Sequence, residues 1–168
     1  MKLMDTSSII LFLEFISEYE FLIKFSENGE LMIITGQVEE EYNEKKDSNI
    51  NNSHYNLNKL LEDGILIKEK CEINSLFDTR YFPLGKGEKS IMSLGLKYKE
   101  QSADYYCVID DRYARKVANK LNLNLKGSIG LLLLLKEKGM LENPKEVVDK
   151  IRESPFRISD KILEELNA

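Results

Sequence analysis

Five acidic side chains, spread over two-thirds of the chain, are the residues here whose types and spacing suit chemistry. Asp5 follows the triplet "KLM", Glu41 ends "VEEE", Glu88 follows two glycines in "PLGKGEKSIM", and Asp110 and Asp111 close "YYCVIDD". Carboxylates gathered in one crevice repel one another, and burial worsens this by raising their pKa values. Divalent cations remove the penalty. Ligation by oxygen alone suits Mg²⁺ or Mn²⁺ and argues against zinc. Such ions, held ~3.5–4 Å apart, activate water and stabilise the leaving oxygen of a phosphodiester displacement. The only histidine, His54, lies in a polar stretch and reads as a surface residue, so no imidazole base competes with that chemistry.

These acids need a scaffold that brings them together. "KLM" reads as a short buried strand, and "IILFLEFI" as a helix capped by Ser7 or Ser8. "ELMIITG" and "ILIKE" are further strands, with a helix from Thr35 and another in "LNKLLEDG" between them. "EKSIMSLGLKYKE" is helical, with Ile91, Met92 and Leu96 inward; "YYCVI" is a strand covered on both faces; "DDRYARKVANKL" repeats apolar residues at helical spacing. "LNL" is a small strand and "SIGLLLLLKEKG" a buried helix, with further helices in residues 140–168. Alternating strands and helices predict a parallel sheet covered on both sides, with its site at the carboxyl ends of the strands. Asp5 and Asp110 sit at such ends. Asp111 also suits a helix N-cap, which favours Asp110 as the site residue but leaves the choice open. Glu41, three residues after Val38 and one before Tyr42, flanks its helix's buried face, whereas Glu39 and Glu40 read as solvated. A wet charged face is the alternative for Glu41.

"PLGKGEKSIM" tempts a different reading, a phosphate-cradling loop. That loop requires G-x-x-x-x-G-K-[ST], whereas here Lys86 precedes Gly87 and Lys89 follows Glu88. Glu88 instead falls in a first helical turn, where the helix dipole favours an anion. The expectation is that the glycines turn the chain sharply and the loop delivers an acid.

Composition narrows the rest. The 168 residues suit one domain, and a net charge of −5 excludes a generic polyanion binder, leaving local basic patches or bound cations to attract nucleic acid. Cys71 and Cys107 form neither a disulfide framework nor a zinc motif. "SSIILFLEFI" mimics a signal peptide but is interrupted by Glu14, and "IGLLLLLK" is far shorter than the ~20 residues of a membrane span. A cytoplasmic chain without a membrane segment is expected, with residues 43–56 a mobile polar segment. A receiver domain would carry its acidic pair after the first strand, and an aspartyl-phosphate phosphatase would need a second Asp two positions after Asp5; neither holds.

Taken in order, the motifs resemble the PIN-domain ribonucleases. "MDTSSII" is similar to their opening, "VEEEY" to their second acidic position, and "LGKGEKSIMSLGLKY" to the G-x-G-E helix of one PIN-like subfamily. "VIDDRYARKVANKLNLNLKGSIGLLLLLKEKGML" resembles that subfamily's D-D-x-x-A-R helix followed by G-[ST]-x-G, and the tail "IRESPFRISDKILEEL" its ending. The resemblance spans residues 1–168 as a single domain. It implies a three-layer α/β/α PIN-like fold with a parallel sheet of about five strands. It implies a Mg²⁺- or Mn²⁺-dependent ribonuclease, commonly the toxin of a toxin–antitoxin pair, with RNA and an antitoxin as partners and a homodimer as its assembly. Asp5, Glu41, Glu88 and Asp110, or Asp111 in its place, would form the metal site. Thr6 or Ser7 would orient Asp5 or a bound water, and Arg112, Arg115 and Lys116 would contact RNA phosphates. One departure stands out: the family's Thr/Ser two residues before the fourth acid is replaced by Val108 or Ile109. The competing reading is an inactive PIN-like RNA- or protein-binding module.

Overall fold

A computed structural model describes residues 1–16, 19–45, 51–81 and 83–168, with the side chains of 51–55 left aside. The elements run β1 (Lys2–Met4), α1 (Thr6–Ile10) continuing as a π-helical turn (Leu11–Phe15), α2 (Tyr19–Glu27), β2 (Met32–Thr35), α3 (Gly36–Lys45), α4 (Asn51–Glu62) and β3 (Leu66–Glu69). Then follow α5 (Ser75–Thr79), α6 (Lys86–Glu100), β4 (Tyr106–Val108), α7 (Arg112–Lys120), β5 (Leu125–Lys126), α8 (Ser128–Glu137), α9 (Pro144–Glu153) and α10 (Asp160–Asn167).

The five strands form one all-parallel sheet in the order β3-β2-β1-β4-β5. Every residue of β1 and β2 is buried, as it must be when helices cover both faces. The α6 helix packs against β1, β2 and β4, α2 against β2, and α7 against β5. The result is the three-layer α/β/α architecture expected. Leu3, Met4, Ile33, Cys107 and Val108 from the sheet belong to one buried hydrophobic cluster with Ile91, Met92 and Leu94 of α6.

Sheet order decides where a site can form. From β1 the chain moves outward to β2 and β3, then returns to the other side of β1 for β4 and β5. The order therefore reverses between β1 and β4, and a crevice opens outside their carboxyl ends. Asp5 follows one of these strands immediately, and Asp110 follows the other two residues on.

Two local expectations change, at the cap of α1 and at the two glycines. Asp5 itself, rather than Ser7 or Ser8, caps α1, because its carboxylate accepts the Ser8 backbone N–H. The polar run 43–56 is largely helical where described: residues 43–45 finish α3 and residues from Asn51 begin α4, while 46–50 and the side chain of His54 lie outside the described residues. Gly85, with φ −65° and ψ 159°, has ordinary extended backbone, and Gly87 also avoids positive φ, so neither glycine serves a sharp turn. Among the described residues no helix is long and apolar enough to cross a membrane.

Candidate active site

Asp5 is completely buried at the head of α1. Its Oδ1 accepts two hydrogen bonds from Ser8, from the backbone N–H at 2.8 Å and the hydroxyl at 2.6 Å. Its Oδ2 is also buried and has no hydrogen-bond partner. A buried polar atom left unsatisfied is costly and rare. Burial is the main force pushing the Asp5 carboxyl up to about 8; the neighbouring Asp110 raises it further, the Ser8 bonds oppose the rise, and Glu88 adds a little.

Asp110 enters from the other side of the switch point. The start of α8 holds it: the Ser128 backbone N–H donates to Oδ1 at 2.8 Å and the Ser128 hydroxyl donates to Oδ2. Gly127 makes this approach possible, since a Cβ there would lie 3.0 Å from Asp110 Oδ1 and 3.2 Å from Arg115 Nη1. Burial raises the Asp110 pKa, while the Ser128 bonds, the Arg115 charge and Ser8 hold it down. Asp111 is exposed and caps α7, its Oδ1 accepting the Ala114 N–H at 2.8 Å.

Glu41 and Glu88 form a second pair beside the first. Glu41 is mostly covered, and its Oε2 accepts the Thr6 hydroxyl at 2.7 Å, with exposed Lys45 at 3.7 Å. The glycines of G-x-G-E make room for this carboxylate: a Cβ on Gly87 would lie 2.7 Å from Glu41 Oε2 and 2.4 Å from Thr6 Oγ1, and one on Gly85 2.9 Å from Glu41 Oε1. Glu88 turns back on its own helix, where its Oε2 accepts the Gly85 N–H at 3.0 Å. Burial raises its pKa, opposed by that bond and by Lys45, with Asp111 and Glu41 adding to the rise. Glu39 is half-buried and bound by Lys68 at 2.8 Å, and Glu40 is exposed.

The acids therefore share one electrostatic neighbourhood as two pairs, Asp5 with Asp110 and Glu41 with Glu88. Among the described residues no three Asp, Glu, His or Cys side chains already form a metal cage. The donor set still fits a hard cation. Mg²⁺ is usually bound through one or two carboxylates while keeping several waters, so Asp5 and Asp110 suffice on the protein side. Asp5 Oδ2 is an uncommitted oxygen, and the Asp110 oxygens, each holding one hydrogen bond, retain acceptor capacity.

Several expected roles move. Thr6 positions Glu41 rather than Asp5, and the hydroxyl on Asp5 is that of Ser8, which motif reading passed over. Ser7 lines a cavity of about 560 Å³ with Asp110, Asp111, Arg112 and residues 155–158. Arg115 is half-buried and donates to the Ile109 carbonyl at 2.7 Å, so it braces the loop carrying Asp110 as well as lining the adjoining cavity. Arg112 and Lys116 are exposed. Ser128, which was not singled out, gives Asp110 the hydroxyl missing from Val108, and the G-[ST]-x-G motif was the signal that could have found it. Arg157 also lines both cavities, and nothing in the sequence pattern marked it.

In comparisons with known proteins, none of the curated proteins matches the chain, nor does any of the solved structures. Residues 1–168 match the profile of a family described as a PIN domain. A match of that extent, on a five-stranded parallel sheet with acids at its switch point, means that the chain belongs to the PIN-domain family.

Proposed function

We propose that this protein is a Mg²⁺- or Mn²⁺-dependent endoribonuclease that hydrolyses phosphodiester bonds of single-stranded RNA. The observation that carries the reading is Asp5 Oδ2, a buried carboxylate oxygen without a partner, set against a second, half-buried acid at the switch point of the sheet. Ionised, this pair needs a cation. Asp5 and Asp110 would hold it, with Glu88 beside them. When bound, the metal supplies the charge that activates water and stabilises the leaving oxygen. The chain's own residues do the positioning. Ser8 and Ser128 fix the two carboxylates, Thr6 fixes Glu41, and Arg112 and Lys116 offer charge to RNA phosphates. PIN-domain membership and the family resemblance support a toxin role in the cytoplasm, with an antitoxin partner and a homodimeric assembly.

One observation favours a second reading, an inactive RNA- or protein-binding module: among the described residues no three ligating side chains are pre-gathered. Asp5→Asn separates the two. The ribonuclease reading expects a folded variant that loses Mn²⁺-stimulated cleavage of single-stranded RNA. Equal cleavage by variant and wild type would refute it, and the module reading expects no cleavage from either.

A further inference from the structure

We propose that the segment after α9 forms a subsite for one unpaired nucleotide of the RNA, with Phe156 as the base platform and Arg157 as a phosphate contact. The inference rests on the ribonuclease reading and extends it to substrate recognition. The cavity of about 560 Å³ is lined by the acids Asp110 and Asp111 and by apolar Pro155, Phe156 and Ile158. Arg112 and Arg157 border it, and both also line an adjoining cavity of about 800 Å³ that includes Arg115. Pockets of ~300–1,000 Å³ take small molecules of nucleotide size.

Charge selects the occupant. In a chain of net charge −5, three arginines against two carboxylates, Asp110 and Glu165, line the larger cavity, a local positive excess beside acids that would otherwise repel a polyanion. Arg112 and Arg157 are exposed and form no ion pair among the described residues. Apolar side chains and two guanidinium groups lining one cavity, next to the acids proposed to take a metal, match a nucleobase joined to phosphates. A protein surface would satisfy only part of that pattern. Phe156 is also held in place before binding. Ser154 Oγ donates to the Ile151 carbonyl at 2.6 Å and accepts the Phe156 N–H at 3.2 Å. The Phe156 ring meets Phe15 edge-on, with centroids 5.7 Å apart at 69°. A paired base is unavailable to such a platform, whereas an unpaired one can stack on it.

Binding of a labelled single-stranded RNA oligonucleotide to the full chain, in low salt with EDTA, tests this apart from catalysis. Stacking on an aromatic side chain sets the scale, so Phe156→Ala should weaken binding about 5- to 150-fold and leave duplex RNA binding unchanged. Phe156→Leu keeps apolar volume against Phe15 and should also weaken binding. One abasic position in the oligonucleotide should reproduce the loss on wild type and add nothing to Phe156→Leu. Arg157→Gln should reduce the salt slope of binding by about one. Wild-type affinity in Phe156→Leu, with no abasic effect, overturns the proposal. So does a change in sedimentation without a change in RNA affinity, which would make the cavity a protein interface. If wild type cleaves with Mn²⁺ but Phe156→Leu binds normally, only the subsite fails. If binding depends on Phe156 but no cleavage occurs, only the ribonuclease reading fails.

Discussion

Replacing Asp5 with Asn should stabilise the metal-free protein. A carboxyl whose folded pKa is raised binds its proton more tightly folded than unfolded. The stability linked to Asp5 is therefore fully present below the ordinary value of 3.8 and is lost as pH rises through about 8. At pH 7, just over three units above the ordinary value, the loss is about 4 kcal/mol at ~1.36 kcal/mol per unit. The amide keeps an oxygen for the two Ser8 bonds and removes the titration. Urea unfolding of both proteins in EDTA, at several values between pH 5 and 8.5, measures the difference directly. Asp5→Asn should be more stable by a few kcal/mol at pH 7, and its advantage should widen with pH up to about 8. Saturating Mn²⁺, at about 100 times its dissociation constant, should return about 2.7 kcal/mol to wild type and little to the variant. A variant less stable than wild type at pH 8, or an advantage independent of pH, would refute the reasoning.

Other predictions concern the groups that position the acids. Ser128→Ala removes the hydroxyl on Asp110 Oδ2, so the Asp110 pKa should rise further, the rising limb of the pH–rate profile should move to higher pH, and metal affinity should fall roughly 10- to 100-fold. A profile that keeps its wild-type midpoint would contradict this. Gly87→Ala drives a methyl into Thr6 Oγ1 and Glu41 Oε2 and should lower stability by about 1–3 kcal/mol, read as a shift of the urea midpoint. Gly130→Ala is its control, because the nearest atom to the new Cβ is Lys126 Cβ at 3.9 Å, and it should stabilise α8 by up to about 1 kcal/mol.

The parallel sheet was legible because its strands are short apolar runs bounded by turns, and β1, β2, β3 and β4 lie where those runs predict. The positions of Asp5 and Asp110 were legible because each follows an apolar run, although Asp5 also serves as the cap of α1. Helix starts were less so. The first turns of α4 are asparagine, serine and histidine, which show no apolar period, and α5 buries only Phe77. The purpose of the glycines was also hidden. Their small size matters here because Glu41, more than forty residues earlier, fills the space a side chain would need, and only tertiary packing shows that. For the same reason Ser128 was missed as the partner of Asp110, eighteen residues away, whereas the Ser8–Asp5 contact spans only three residues and was passed over although it is local. Asp111 was readable as a cap from sequence alone, because that role is local.

The central claim is that Asp5 and Asp110 together hold a divalent cation. Anomalous diffraction from a crystal soaked in Mn²⁺ tests it most directly. The account predicts a peak bound by carboxylate oxygens of both residues, absent from Asp5→Asn crystals. An empty position there at saturating Mn²⁺, or a peak that survives the substitution unchanged, would contradict it.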